Sequence, residues 1–163
     1  MDIIVVNIAD YKVAKNNCTL VSVSLGSCVG IALYDSINKT GGLAHIMLPD
    51  SSLMSNNAGL SSPNKFADTA IKLMLKEMEK FGALKCNLTA RITGGACMFK
   101  TASSNPIMNI GVRNIEAVKK VLAEEKIPII AEDVGKNYGR TIEFMVETGK
   151  VLIKSAQYGT KEI

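Results

Sequence analysis

Hydrophobic and polar positions along the chain change period several times, and each change marks an element. Residues 3–8 form a short β-branched run. Over 19–25 the pattern alternates, so that Val21, Val23 and Leu25 share one side of a strand and Leu20, Ser22 and Ser24 the other. Residues 28–34 are small or apolar throughout, break at the polar run 35–39, and resume after Gly41-Gly42 in 43–48, where Pro49 stops them. They are read as two paired strands about a turn. Residues 50–64 make a polar stretch long enough for a functional loop rather than a simple connector.

From 65 to 81 the period becomes helical. Ala67, Ala70, Ile71, Met74, Leu75, Met78 and Phe81 fall on one arc, and Lys65, Lys72, Lys76 and Lys80 on the opposite one. Ser62-Pro63 is a start signal and Gly82 a stop. Residues 88–93 return to a strand pattern, followed by Gly94-Gly95 and a polar loop with Asn105-Pro106. A second helix over 111–126 turns Ile115, Val118 and Leu122 inward beneath an Asn109 cap. Residues 127–134 read as a buried strand, 135–139 as a loop, and 140–147 with 150–156 as a hairpin about Thr148-Gly149. Strands outnumber the two long helices. The pattern predicts an α+β protein with helices packed on a mixed sheet, not a doubly wound parallel sheet. No internal repeat, linker or low-complexity tract interrupts it, so residues 1–163 are expected to form one domain.

Composition narrows the function classes. With 47% apolar and 21% charged residues, neither a disordered nor a fibrous chain fits. Aromatics at 5% and the absence of Trp argue against a stacking platform for single-stranded nucleic acid. The net charge of +4 sits almost wholly in residues 65–100, where seven Lys or Arg face three acids. That excess is too small and too rich in Lys for a nucleic-acid footprint. A lysine stripe on a helix is ordinarily a solvated face, with docking onto an acidic protein surface as the alternative. The amino terminus has no basic n-region or apolar h-region, and no run of about 18 apolar residues occurs, so a cytoplasmic protein without membrane insertion is expected. Cys18, Cys28, Cys86 and Cys97 contain no Cys-x-x-Cys pair and are accompanied by one His, which argues against zinc.

Chemistry concentrates at Gly26-Ser27-Cys28-Val29-Gly30, where one strand ends and the next begins. Glycines at such a corner permit unusual backbone angles and close approach of a substrate. Free Cys is commonly buried and inert, and that is one reading of Cys28. The other is a nucleophile. His45, the lone imidazole, lies 17 residues on, on the strand paired with that of Cys28, and an imidazole beside a thiol can generate the thiolate that attacks a carbonyl. Otherwise His45 is a hydrogen-bonded sheet histidine. Ser22 and Ser24 can each supply a group to orient the ring. Gly94-Gly95 and Gly135 to Gly139 match neither the phosphate-binding loop nor the dinucleotide fingerprint, so nucleotide binding has no support, and covalent catalysis by a thiol needs no cofactor.

Six ordered blocks along nearly the whole chain resemble the CheD family of chemoreceptor glutamine deamidases. They are Leu25-Gly26-Ser27-Cys28-Val29, Ala44-His45-Ile46-Met47-Leu48-Pro49, Ile92-Thr93-Gly94-Gly95-Ala96-Cys97-Met98-Phe99, Asn109-Ile110-Gly111-Val112-Arg113-Asn114, the segment from Asp133 to Arg140, and Glu147-Thr148-Gly149. The resemblance implies a layered α/β/β fold similar to cytotoxic-necrotizing-factor deamidase toxins. It also implies a cysteine hydrolase acting on Gln side chains in the cytoplasmic helices of methyl-accepting chemoreceptors, with the CheC phosphatase as partner. Carried over by motif, Cys28 is the nucleophile and His45 the base. The family's third polar residue is typically Thr, and ungapped counting back from Cys28 places Ser22 there, retaining a hydroxyl. Lys136 stands where the family usually has a second glycine. Backbone N–H groups from Ser27 to Val29, in the corner flanked by Gly26, are the candidate oxyanion donors for such chemistry. The rivals are a non-enzymatic regulatory partner of CheC and a peptidase-like cysteine hydrolase of unrelated specificity.

Overall fold

The computed structural model describes residues 1–53, 62–99 and 109–163. In chain order the elements are β1 (Asp2–Val5), β2 (Asp10–Lys15), β3 (Cys18–Leu25), β4 (Val29–Asp35), β5 (Thr40–Ile46), α1 (Ala67–Lys80), β6 (Leu88–Gly94), α2 (Ile110–Glu124), β7 (Ile129–Val134), β8 (Arg140–Met145), β9 (Lys150–Ser155) and β10 (Gly159–Glu162). Residues 54–61 of the polar stretch, and 100–108 with Asn105-Pro106, lie outside the described residues.

The strands form two five-stranded sheets, ordered β1-β3-β8-β9-β10 and β2-β5-β4-β6-β7. Each is mixed: β1 is parallel to β3 and β6 to β7, and the remaining pairs are antiparallel. The second sheet is sandwiched. Val29, Ile31 and Leu33 of β4 with Ala44 and Ile46 of β5 pack against α1 and α2. Ala32, Tyr34 and Leu43 point the other way, onto Leu20, Ile142, Phe144 and Val151 of the first sheet. Every residue of β4 and β5 is buried. Burial on both faces explains why these strands are apolar or small almost throughout rather than alternating. Among the described residues the resulting order is helices, sheet, sheet, an α+β architecture with two main helices.

Several expectations need correction. The sequence reading puts Leu25 with Val21 and Val23, but Leu25 is fully buried while Val23 is 51% exposed. A register shift between Ser22 and Leu25, with Ser24 at φ +60°, inserts an irregularity that returns Leu25 to the side of Leu20 and Ser22. Residues 127–134 do not form a wholly buried strand: β7 is an edge strand whose Ile130 is exposed. Phe81 is the C-cap of α1, its N–H bound to Glu77 O, and its side chain is exposed rather than part of the buried arc. The pattern predicts neither β2 nor β10. Both are edge strands with Lys and acidic residues, which protect an edge from further pairing and blur its periodicity.

The helix signals fare unevenly. Asn109 caps α2, its side chain accepting the Val112 N–H at 3.3 Å. Gly82, at φ +91°, follows the end of α1. Ser62-Pro63 opens only a one-turn 3₁₀ segment, Pro63–Lys65, and α1 starts after Phe66 without a side-chain cap.

Candidate active site

The irregular end of β3 and the start of β4 are joined by Gly26, Ser27 and Cys28, and this short corner is held from outside through all three of its carbonyls. Ala96 N–H donates to Gly26 O at 2.8 Å and Gly95 N–H to Cys28 O at 2.8 Å. Asn114 Nδ2 donates to Ser27 O at 2.9 Å. The Gly94-Gly95 pair must lie close to the corner to do this. A Cβ on Gly94, which sits at φ +104°, would stand 2.2 Å from the Cys28 carbonyl oxygen, so only glycine fits. Gly26 N–H is bound to Ser24 O at 3.1 Å, whereas those of Ser27 and Cys28 have no backbone partner among the described residues.

Cys28 is half-buried and packs at the margin of the core between the two sheets. Burial pushes its thiol above the ordinary value, opposed in part by its own backbone N–H. His45 is reached through strand register. Gly30 of β4 lies opposite His45 of β5, and Cys28, two residues before Gly30, shares its face of the strand. Diagonal neighbours on one face of an antiparallel pair are within side-chain reach. The glycine opposite His45 leaves the space above it to Leu25, Ile142 and Thr93.

His45 is fully buried, and its Nδ1 is 2.8 Å from Ser22 Oγ. Ser22, also fully buried, donates its one hydroxyl proton to the Val6 carbonyl at 2.7 Å. A serine hydroxyl has one proton, and a carbonyl can only accept it. The Ser22 oxygen must therefore accept from Nδ1–H, which places the proton on Nδ1 and leaves the Nε2 lone pair free. Nε2 is buried and has no hydrogen-bond partner among the described residues. Burial also lowers the His45 pKa to about 4, keeping the ring neutral near pH 7. The constellation is thus a neutral imidazole with an unengaged basic nitrogen, oriented by a hydroxyl from the facing sheet.

Of the two serines, only Ser22 reaches the ring; Ser24 is exposed at the irregular end of β3. Val29, the first residue of β4, is fully buried and in register with both Ile46 and Gly94. Two contributors escaped the sequence reading: the Val6 carbonyl, whose position depends on β1 running beside β3, and Asn114, which was recognised only as part of a motif. The other cysteines are also free, with Cys86 exposed and Cys18 and Cys97 half-buried. Among the described residues, no three His, Cys, Asp or Glu side chains gather as a metal would require.

A family model described as CheD chemotactic sensory transduction matches residues 47–155. This chain belongs to the CheD family. A relative from Clostridium novyi (strain NT) is 54% identical over 162 residues, covering 99% of this chain and 98% of its own, and is named "Probable chemoreceptor glutamine deamidase CheD". A relative of the same name from Clostridium botulinum (strain Hall / ATCC 3502 / NCTC 13319 / Type A) is 53% identical over 165 residues, covering both chains fully. The family-model match begins two residues after His45, while the full-length relatives span Cys28 and His45 as well. In this CheD-family chain, Lys72, Lys76 and Lys80 are exposed on α1. The buried face of α1 packs on one face of the second sheet, and the His45 side chain leaves the other face toward Ser22, so the lysine stripe and the imidazole lie on opposite sides of that sheet. No helix is long and apolar enough to cross a membrane among the described residues.

Proposed function

We propose that the chain is a protein-glutamine deamidase that converts selected Gln side chains of methyl-accepting chemoreceptors to Glu, with Cys28 as nucleophile, His45 as general base and acid, and Ser22 positioning His45. The observation that carries the reading is the tautomer imposed by the chain Val6 O, Ser22 Oγ, His45 Nδ1, which leaves a buried Nε2 lone pair on the face that Cys28 shares. The names of the full-length relatives supply the substrate class.

At rest the pair is neutral, because burial raises the Cys28 thiol and lowers the His45 imidazolium. As the Gln side chain docks, Nε2 takes the thiol proton and sulfur attacks the carboxamide carbon, forming a tetrahedral oxyanion. The N–H groups of Ser27 and Cys28, which have no backbone partner among the described residues, are the donors assigned to that developing charge. The carbon–nitrogen bond then breaks, His45 returns the proton to nitrogen, and ammonia leaves a γ-glutamyl thioester. Water, deprotonated by the same Nε2, attacks the thioester. The sulfur departs as thiol, leaving Glu. One water is consumed and one ammonia released.

The proposal extends to the chain as one domain over 1–163, with the architecture of cytotoxic-necrotizing-factor deamidases; the helices, sheet, sheet order supports this. It also includes cytoplasmic placement and CheC as partner, supported by family membership. The experiment is mass spectrometry of purified receptor cytoplasmic fragments after incubation with wild-type, Cys28→Ala and His45→Ala protein. A gain of about one dalton at specific Gln residues with wild type only is expected from this chemistry. Backbone cleavage, or equal conversion by Cys28→Ala, overturns the reading, and retained CheC binding by Cys28→Ala separates partner recognition from catalysis.

A further inference from the structure

Asn114 occupies the second turn of α2 and is fully buried beside Val118, Val121 and Leu122. Its Nδ2 donates to Ser27 O and to Met47 O, each at 2.9 Å. Both partners are carbonyl oxygens, which only accept, so the side chain must present its NH₂ and the two hydrogens match the two acceptors. Ser27 adjoins Cys28, and Met47 lies two residues beyond His45. One side chain from α2 therefore ties the segment carrying the thiol to the segment carrying the imidazole.

We infer that Asn114 is a positioning residue of this site: it orients the Ser27–Cys28 peptide so that the Cys28 N–H faces the reacting sulfur, and it fixes the spacing between the Cys28 corner and the His45 strand. Within a trans peptide the C=O and N–H point in opposite directions. Drawing the Ser27 carbonyl toward α2 turns the Cys28 N–H away from α2. Burial raises the Cys28 thiol, and its own backbone N–H opposes that rise in part. The same donor serves the oxyanion of the reaction proposed above, on which this inference rests for its chemistry. Asn114 also leaves its Oδ1 buried without a hydrogen-bond partner among the described residues. An apolar residue would spare that cost but strand the Ser27 and Met47 carbonyls, so the amide is accounted for by its two donors rather than by filling space.

Close approach of α2 makes the clamp feasible. Gly111, one turn earlier, would carry a Cβ only 2.5 Å from Gly95 O and 2.6 Å from Ala96 O. The helix thus abuts the segment that holds Gly26 and Cys28, and Asn114 completes the support from the same side.

The test compares wild type with Asn114→Asp, which keeps the shape but turns an acceptor toward both carbonyls, and Asn114→Ala. Two quantities are read in the whole protein: kcat and KM for a receptor cytoplasmic fragment, and the rate of Cys28 alkylation by iodoacetamide, resolved by mass spectrometry from Cys18, Cys86 and Cys97. The expectation is a kcat lower by about 10–100-fold, KM within about twofold, and Cys28 alkylation slowed about tenfold with the other thiols unaffected. Folded variants with a lower melting temperature but wild-type kcat and Cys28 reactivity overturn the inference. If Asn114→Asp does not fold, Asn114→Ala is judged by the same outcomes. Wild-type protein that deamidates no receptor fragment, yet loses Cys28 reactivity in the variants, overturns the deamidase reading and supports the positioning one. Wild-type turnover by Asn114→Ala, with Cys28→Ala inactive, overturns the positioning inference alone.

Discussion

Ser22 and His45 form a coupled pair in which neither residue's chemistry is intelligible alone. The serine has no basic partner to activate it, since its proton is spent on Val6 O; its part is to hold Nδ1–H. Ser22→Ala should therefore lower kcat about 10–100-fold with KM little changed, as losses of orienting hydrogen bonds do, while Ser22→Thr restores most of it. Steady-state assays on receptor fragments decide this. The His45 environment also makes a stability prediction. Its pKa falls from 6.5 unfolded to about 4 folded because burial penalises the charged ring. The folded state then binds fewer protons, so its stability is complete above pH 6.5 and declines as pH falls toward 4, by roughly 3 kcal/mol in all. Urea unfolding across that range should show the loss, and His45→Gln should remove it. The Asp35 carboxyl is a separate case. Burial would raise it, but hydrogen bonds from Asn38, Leu84 N–H and Asn87 outweigh this and take it down to about 2. Its loss therefore falls between pH 3.8 and 2, below the His45 window.

Among the elements, the segment from β6 into residues 94–96 matters to the site without contributing a reactive side chain. Its register with β4 places Gly94 opposite Val29, and its next two N–H groups bind Cys28 O and Gly26 O. Gly94→Ala meets both an unfavourable positive φ and the Cys28 carbonyl. A destabilisation of about 1–3 kcal/mol is expected from the backbone strain alone. Because the clash falls on the nucleophile's own peptide, Cys28 alkylation should change in the folded variant while that of exposed Cys86 does not. An equal rate at Cys28 would separate this loop from the thiol. β3 shows the opposite effect: its irregularity at Ser24 lets Ser22 and Leu25 both point inward although they are three residues apart.

The whole molecule is two sheets whose site is assembled across their interface, Ser22 from one and His45 from the other. Their relative placement is reinforced by a buried ion pair. Arg140, at the start of β8 in the first sheet, contacts Asp133 of β7 in the second, with Nε to Oδ2 at 3.2 Å and side-chain exposures of 0% and 8%. Arg140 also donates to Gly135 O at 2.9 Å, and Lys161 Nζ reaches Asp133 Oδ1 at 3.1 Å. Within the first sheet Arg140 is in register with Leu25, and within the second Asp133 with Thr93, so both ends of the pair border the elements that frame the Cys28 corner. Arg140→Met should destabilise by up to about 3 kcal/mol, the low end for breaking a buried pair, because half-exposed Lys161 still reaches the Asp133 carboxylate. Arg140→Met with Asp133→Asn should lose less than the two single changes together, as urea unfolding of all three variants would show.

Much of this was legible from local pattern. The helical arc of α1, the paired strands β4 and β5, and the Asn109 cap follow from apolar period and capping chemistry, which act within one turn or one strand. The glycine corner with Cys28, and His45 on the neighbouring strand, could be named as candidates from residue chemistry and order alone. Which way β3 presents its side chains could not, because a non-glycine residue at positive φ reverses the alternation without a local signal. Edge strands β2 and β10 and the half-exposed β7 depend on where each lies in a sheet, a property of pairing partners remote in sequence. The choice of Ser22 over Ser24, the Nδ1–H tautomer and the reach of Asn114 to two separate carbonyls likewise come from tertiary structure. Sequence determined which groups were available and the local shapes carrying them; only the docking of two sheets and a helix decided which groups meet, because hydrogen bonds and burial depend on distances across the chain.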